Sequence, residues 1–439
     1  MAGQSALELL LPELQRKILL QIDGFDTLYG LILASPRFYQ VFRINREITL
    51  STIAYRRFHR FAIQDALIID RLKQLETPPF SRDTVLSYFA STSDQQRQPS
   101  KSILPLSVSM ELCRLDAMLR FFLNDYAQNT LPILNQLRSS QFSGIATQYA
   151  PNDHDPYLSL SDSESGRLRR AFCRLETYRK LFARCSLDLD HNVRRCQHNP
   201  SLTIFEQGQM FFQDAPAYKI AEIACVRDYL SRRLRGVLDR VEDEIVDALR
   251  TEFHNPDTQM QAMGWDTDNG ACYDYFEENE CHLFTYTGKH YQKHHIEHLL
   301  SLGLSYIQKI LNADGDERKN LLLRDNLDCD AQYENGFLTA ALGLDLMTPP
   351  DKLYGWPKKD LDSCLDPINH AGVPPGWLWA NASEYYGGLV DSAAKGLRDW
   401  GYVFWDLARL KNAGVLDREH VSLSARRKKA GVRRTSGGT

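Results

Sequence analysis

Apolar residues in this chain recur at steps of three and four, and alternation at steps of two is scarce, which confines the backbone to helices packed on helices. Val108, Leu112, Leu115, Leu119 and Phe122 mark one such helix, and Leu168, Phe172, Leu175, Tyr178, Leu181 and Phe182 another. A longer one spans about 221–253: Ile223, Val226, Leu230, Leu234, Val237, Val241, Ile245, Leu249 and Phe253 form its stripe, while Arg232, Arg233, Asp239, Glu242 and Asp243 face away. The stripe wanders, as in a helix crossing a helical core rather than a coiled-coil strand. Residues 296–311 and 389–410 supply two more helices, and a further one continues from Leu50 to Leu75 with Ile53, Phe58, Phe61 and Leu67 before Thr77-Pro78-Pro79 ends it. Polar, Pro-rich sequence from there to residue 107 reads as a linker, and 139–166 reads as loop-like. No repeat of fixed period is present, so leucine-rich, propeller and kelch-like architectures are poor templates.

The stretch from Leu7 to Phe42 is a different case, because it packs three short apolar helices into about forty residues, too few for an independent core. Pro12 suits a first helical turn, and Leu14, Ile18 and Ile22 follow at helical spacing. Asp23-Gly24 is a stop, and Asp26 is a candidate N-cap for a second helix carrying Leu28, Leu31 and Ile32. Pro36 opens the third, where Phe38, Val41 and Phe42 share a face and Arg37, Gln40 and Arg43 face away. Leu10, Leu11, Leu19, Leu20 and Leu33 add more apolar surface than three short helices can hide, so part of it is expected to meet another protein.

At these residues the chain resembles an F-box, the module by which substrate receptors dock onto the Skp-type adaptor of cullin ubiquitin ligases. Leu10, Glu13, Leu14, Ile18, Leu28, Ala34, Ser35, Phe38 and Tyr39 stand at places of the family pattern. Two positions depart from it: the family's Pro falls on Leu11, with Pro12 at the variable position, and Phe38 stands where a Trp is common. The run Arg43 to Leu50 looks like the extension seen in F-box proteins of filamentous fungi, and the resemblance covers about an eighth of the chain. It implies adaptor contacts from Leu10, Leu11, Pro12, Leu14, Ile18, Leu19, Leu28, Leu31, Phe38 and Tyr39, some of which also form the module's own core. The expected partners are a Skp-type adaptor, a cullin scaffold and an unidentified target protein.

Hydrophobic residues at 43% and charged ones at 25% are ordinary for a globular protein of 439 residues, enough for two or three domains. No apolar run approaches the ~20 residues of a membrane span, and no leader pattern opens the chain, so a cytoplasmic or nuclear protein that binds no membrane is expected. Nine cysteines without paired short spacings fit reduced thiols, and the sequon at Asn381 is then silent. Arg426, Arg427, Lys428, Lys429, Arg433 and Arg434 put +6 on the last fourteen residues; set against the whole-chain −4, this leaves about −10 on the body. An acidic body argues against nucleic-acid binding. The basic tail is expected to be disordered, either a nuclear-import signal or a solvated end without a role.

Three constellations hold residues capable of chemistry. Cys272, Cys281, His282, His290, His294, His295 and His298 are zinc-type ligands, with His290, His294 and His298 on one helical face if helix extends back that far. No CxxC or HExxH accompanies them, so the metal candidates are His290, His294, His298 and Cys281, with solvated histidines as the simpler reading. Asp266, Asp268, Asp274 and Glu277 match an EF-hand loop in part, but Gly270 falls one position early, and a solvated acidic loop is the better reading. Trp356, Trp377, Trp379, Trp400 and Trp405, with Tyr354, Tyr385, Tyr386, Tyr402 and Phe404, form an aromatic group. Trp400, Phe404 and Leu407 read as core, while the turn-rich 356–388 reads either as core or as a recognition groove.

The chain is thus expected to be mainly α: an F-box-like three-helix unit at 5–50, helix and linker at 51–107, an irregular all-helical domain at 108–411, and a basic tail at 412–439. No nucleophile elbow, phosphate-binding loop, dinucleotide fingerprint or kinase signature appears, so the expectation is a non-enzymatic substrate receptor without cofactor. The competing readings are a zinc-dependent enzyme built on the 272–298 cluster and a helical interaction protein with no ligase role.

Overall fold

The computed structural model describes residues 5–73, 82–95, 103–139, 159–183, 202, 204–212, 215–253, 288–324, 338, 342, 373–381 and 392–416. Among them there are helices and turns and no strand. In chain order the helices are α1 (Pro12–Gln21), α2 (Phe25–Ala34), α3 (Pro36–Leu72), α4 (Arg82–Gln95), α5 (Leu106–Ser139), α6 (Asp162–Phe182), α7 (Ile204–Phe212) and α8 (Ala217–Phe253). They continue as α9 (Gly288–Ser301), α10 (Leu304–Asn312), α11 (Gly315–Lys319) running into a π-helical turn (Asn320–Arg324), α12 (Pro375–Asn381), α13 (Ser392–Asp399) and α14 (Leu407–Asn412).

α6 is the centre. It packs against α3, α5 and α8, and fifteen of its 21 residues are buried, on every side of the helix. Leu168, Phe172, Leu175, Tyr178, Leu181 and Phe182 are among them, as their spacing predicts. So are Arg167, Arg169, Arg170 and Glu176, which a one-faced amphipathic helix would leave in water. Each of these charges meets a partner, as burial demands. Arg170 grips Glu222 of α8 with two hydrogen bonds, 2.9 and 2.5 Å. Arg169 donates to Asp116 of α5 at 2.6 Å, and Arg167 donates to the Phe404 carbonyl oxygen. Arg227, Asp228 and Arg398 continue the network between α8 and α13.

Several sequence boundaries shift for identifiable reasons. The helix from Leu50 is the continuation of α3, whose backbone departs from helical geometry at Asn45 and at His59. His59 (φ 50°, ψ 166°) is the one non-glycine residue with positive φ among the described residues. Part of the stretch read as linker is helical, as α4. The loop-like reading of 139–166 fails at its end: Ser161 accepts from the Glu164 N–H, and Glu164 accepts from the Ser161 N–H, a capping box that starts α6. The expected helix at 296–311 is two helices, because Gly303 adopts φ 95° between α9 and α10. The expected helix at 389–410 breaks at Gly401 (φ 67°), which turns the chain so that Trp400, Tyr402, Val403, Phe404 and Trp405 all enter the core. Leu407, expected inside with Trp400 and Phe404, is exposed at the start of α14. Arg232 and Arg233 of α8 do not simply face water but pair with Asp399 and Asp125.

Among the described residues no helix is long and apolar enough to cross a membrane. Cys113, Cys173 and Cys225 carry free thiols. Burial pushes the Cys173 and Cys225 thiols well above their ordinary value, which favours the protonated form of both.

Candidate docking site

α1, α2 and the first turns of α3 form a unit on the outside of the bundle, with α1 and α2 both resting on α3. Its interior is small. Leu19, Ile22, Phe25, Leu28, Phe38 and Val41 are buried there. Ser35 lies between α2 and α3 and caps α3, its hydroxyl accepting from the Phe38 N–H at 3.4 Å. Gly24, not Asp26, holds the N-cap place of α2; Asp26 sits in the first turn and instead pairs with Arg120 of α5. Arg56, further along α3, closes the other end of α1 by donating to the Leu20 and Ile22 carbonyls at 2.9 and 2.7 Å and to Asp23. Arg56 and Arg120 thus fasten the unit to the helices behind it.

In front, apolar side chains face water. Among the described residues, twelve large hydrophobic side chains are exposed, and eight of them lie between residues 7 and 44: Leu7, Leu9, Leu11, Leu14, Tyr29, Leu33, Tyr39 and Ile44. A scattered exposed leucine needs no explanation. Two-thirds of them within about a seventh of the described residues does, because covering what is left exposed of each would stabilise by roughly 1 kcal/mol.

The residues from Ser5 to Leu11 form a turn-rich strap ahead of α1, and its polar atoms are spent inward. The Gln15 side-chain amide, on the core face of α1, donates to the carbonyl oxygens of Leu7 and Glu8 at 3.3 and 3.2 Å. The Ser35 hydroxyl donates to the Glu8 carboxylate at 2.6 Å, and Arg37 donates to the Glu8 carbonyl oxygen. The strap is thereby tied to the corner between α2 and α3.

Of the ten residues expected at an adaptor, Leu11, Pro12, Leu14 and Tyr39 are exposed, Leu10, Ile18 and Leu31 are half-buried, and Leu19, Leu28 and Phe38 are interior. The structure adds Leu7, Leu9, Tyr29 and Ile44 to the outward set, and Leu33, read as surplus apolar surface, is outward as well. It also adds Glu8, Gln15 and Ser35 as the atoms that hold the strap. Gln15 was visible in the sequence, being a polar residue in phase with Leu19 and Ile22 on the inward face of α1.

The other constellations sort differently. α9 begins at Gly288, so His290, His294 and His298 do share one helix. His298 is fully buried, as is His295, whose Nε2 meets the Leu322 carbonyl oxygen at 2.7 Å. Neither is a solvated histidine. Glu297, between them, pairs with Arg227 and accepts from the Leu338 N–H at 3.0 Å, so its carboxylate is committed to the core. The side chains of His290 and His294 lie outside the described residues, together with Cys272, Cys281, His282 and the acidic residues Asp266, Asp268, Asp274 and Glu277. Among the described residues no group of three metal-ligating side chains converges. Trp377 is buried near Tyr218, Trp379 is half-buried 6.2 Å from the Trp400 ring, and Trp405 donates its indole N–H to the Trp400 carbonyl at 2.7 Å. These four tryptophans belong to packing. Trp356, Tyr354, Tyr385, Tyr386 and the basic tail from Arg426 lie outside the described residues.

Compared with known proteins, the chain matches no protein-family model, no curated protein and no solved structure.

Proposed function

We propose that this chain is the substrate-recognition subunit of an SCF-type ubiquitin ligase, docking on a Skp-type adaptor through its N-terminal helices and presenting a target protein from the helices behind them. The observation that carries the reading is the crowd of outward apolar side chains on α1, α2, the strap and the start of α3, at residues where the sequence resembles an F-box. Their own chain leaves those side chains 43–81% exposed, so a partner that covers them would gain on the order of 1 kcal/mol from each. The fastening by Arg56 and Arg120 suits the role, since a receptor must hold its cargo at a fixed offset from the adaptor. The chain then contributes proximity: a lysine of the target is kept near a thioester carried by another subunit, and no residue here donates or accepts a proton.

The test is co-purification at native expression. The wild-type chain is expected to bring down a Skp-type adaptor and a cullin. A Leu14→Asp, Leu33→Asp double variant, altered only at exposed positions, is expected to keep its circular dichroism and lose the adaptor at least about tenfold, as charges placed in an apolar interface do. Wild-type material without adaptor, or a double variant that recovers it undiminished, would reject the reading.

A further inference from the structure

We infer that Gln15, Glu8 and Ser35 are positioning residues that hold the strap in its docking-ready shape before any partner arrives; the inference rests on the proposed docking role of this face. Gln15 is only 2% exposed and occupies, in phase with Leu19 and Ile22, a place where an aliphatic side chain would pack at no polar cost. A buried amide is tolerated only where its hydrogen bonds are made. The partners of the Gln15 Nε2 are both strap carbonyls, Leu7 and Glu8, so its polar group serves the strap and not the helix that carries it.

Ser35 is likewise buried and serves two ends. Its oxygen caps α3 through the Phe38 N–H, and its proton goes to the Glu8 carboxylate. The same carboxylate accepts from the Ser5 N–H at 3.3 Å, and the Glu8 N–H closes back on the Ser5 carbonyl at 2.9 Å. With its carbonyls and carboxylate turned inward, the strap leaves Leu7, Leu9 and Leu11 outward, each more than half exposed. The hydrogen bonds beneath them tie the strap to α1 and to the corner between α2 and α3. A strap already ordered spares the partner the entropy of ordering it.

Gln15→Leu separates this from a purely structural role. Leucine fits the apolar face of α1, so thermal stability is expected to be unchanged or raised, while both amide donors are lost. The expected result is faster hydrogen exchange confined to residues 5–11, and adaptor affinity lowered about tenfold or more. Glu8→Ala, which leaves the core of α1 intact, should give the same pair of changes. Unaltered exchange in the strap, or a released strap with unaltered adaptor affinity, would overturn the inference. A wild-type chain that binds no adaptor, yet shows strap protection that Gln15→Leu removes, would instead reject the ligase reading and with it the docking role of the latch.

Discussion

Asp116 on α5 is fully buried and faces three guanidinium groups. Arg169 donates to it at 2.6 Å, Arg57 reaches both its oxygens at 3.4 Å, and the Nε of Arg120 stands 3.4 Å away. A buried ion pair is weak evidence of net stabilisation, because desolvation offsets much of the attraction, yet removing one partner strands the other. Asp116→Asn is therefore expected to destabilise the protein by about 3–5 kcal/mol, measured by urea unfolding. Glu111→Ala, which breaks a surface pair with Lys73, should cost no more than about 1 kcal/mol. Equal effects would show that the buried hub is not what holds α5 to α6. None of this hub was legible in the sequence. Asp116 and Arg169 are 53 residues apart, and a charged residue beside an apolar stripe looks the same whether its far side meets water or another helix.

Helix content was easier to read than helix ends. Leu112, Leu119 and Phe122 on α5, and Val226, Leu230 and Leu234 on α8, are buried where the three-and-four spacing put them. The Ser161–Glu164 capping box was present in the letters SDSE, but the surrounding serines and aspartates made the segment look like a loop. Gly303 and Gly401 each sit inside a helical pattern, and only their neighbours decide that they break it. A β-carbon on Gly401 would lie 2.2 Å from the Tyr126 hydroxyl, and its φ of 67° is costly for any other residue. Gly401→Ala is expected to lose about 2 kcal/mol or more in chemical denaturation, and an unchanged midpoint would contradict the packing of this turn against α5. In the docking unit, the helical spacing put Leu28 and Phe38 on apolar faces and both are interior, but on α1 it favoured Leu14, which is exposed, over Leu19, read as surplus apolar surface and found fully buried. The strap's hold through Gln15 depends on backbone carbonyls, which no residue pattern records.

Across the molecule the buried charges set a dependence on acidity. Burial raises the Asp228 carboxyl, but the Arg398 and Arg227 guanidiniums more than reverse this, and its folded value lies below the ordinary 3.8. Asp406 is lowered in the same way: burial opposes, and hydrogen bonds from Ser161, Ser163 and Arg167 prevail. A carboxyl depressed in the folded state contributes stability that is present above its unfolded value and is lost as pH falls through the folded one. Asp65 acts with the opposite sign, since burial raises it and its contribution weakens as pH rises. Glu111 is lowered too, by its hydrogen bond with Lys73, and Asp70 is raised by burial. With three carboxyls depressed against two raised, the urea midpoint is expected to fall between about pH 5 and pH 3. A midpoint that is flat or climbs over that interval would show the buried pairs to be energetically silent.

The same Asp406 joins distant parts of the chain, for α6 begins against it: Ser161, Ser163 and Arg167 bind its carboxylate, while Arg409 binds Glu164, 245 residues away in the chain. During translation, then, the central helix would leave the ribosome long before the residues that close its first turn. Until Arg409 has been synthesised, its arginines and Glu164 lack part of their final company. A premature stop codon between the end of α6 and Arg409 would strand them, so products shortened there should be cleared by proteolysis rather than persist as partial domains.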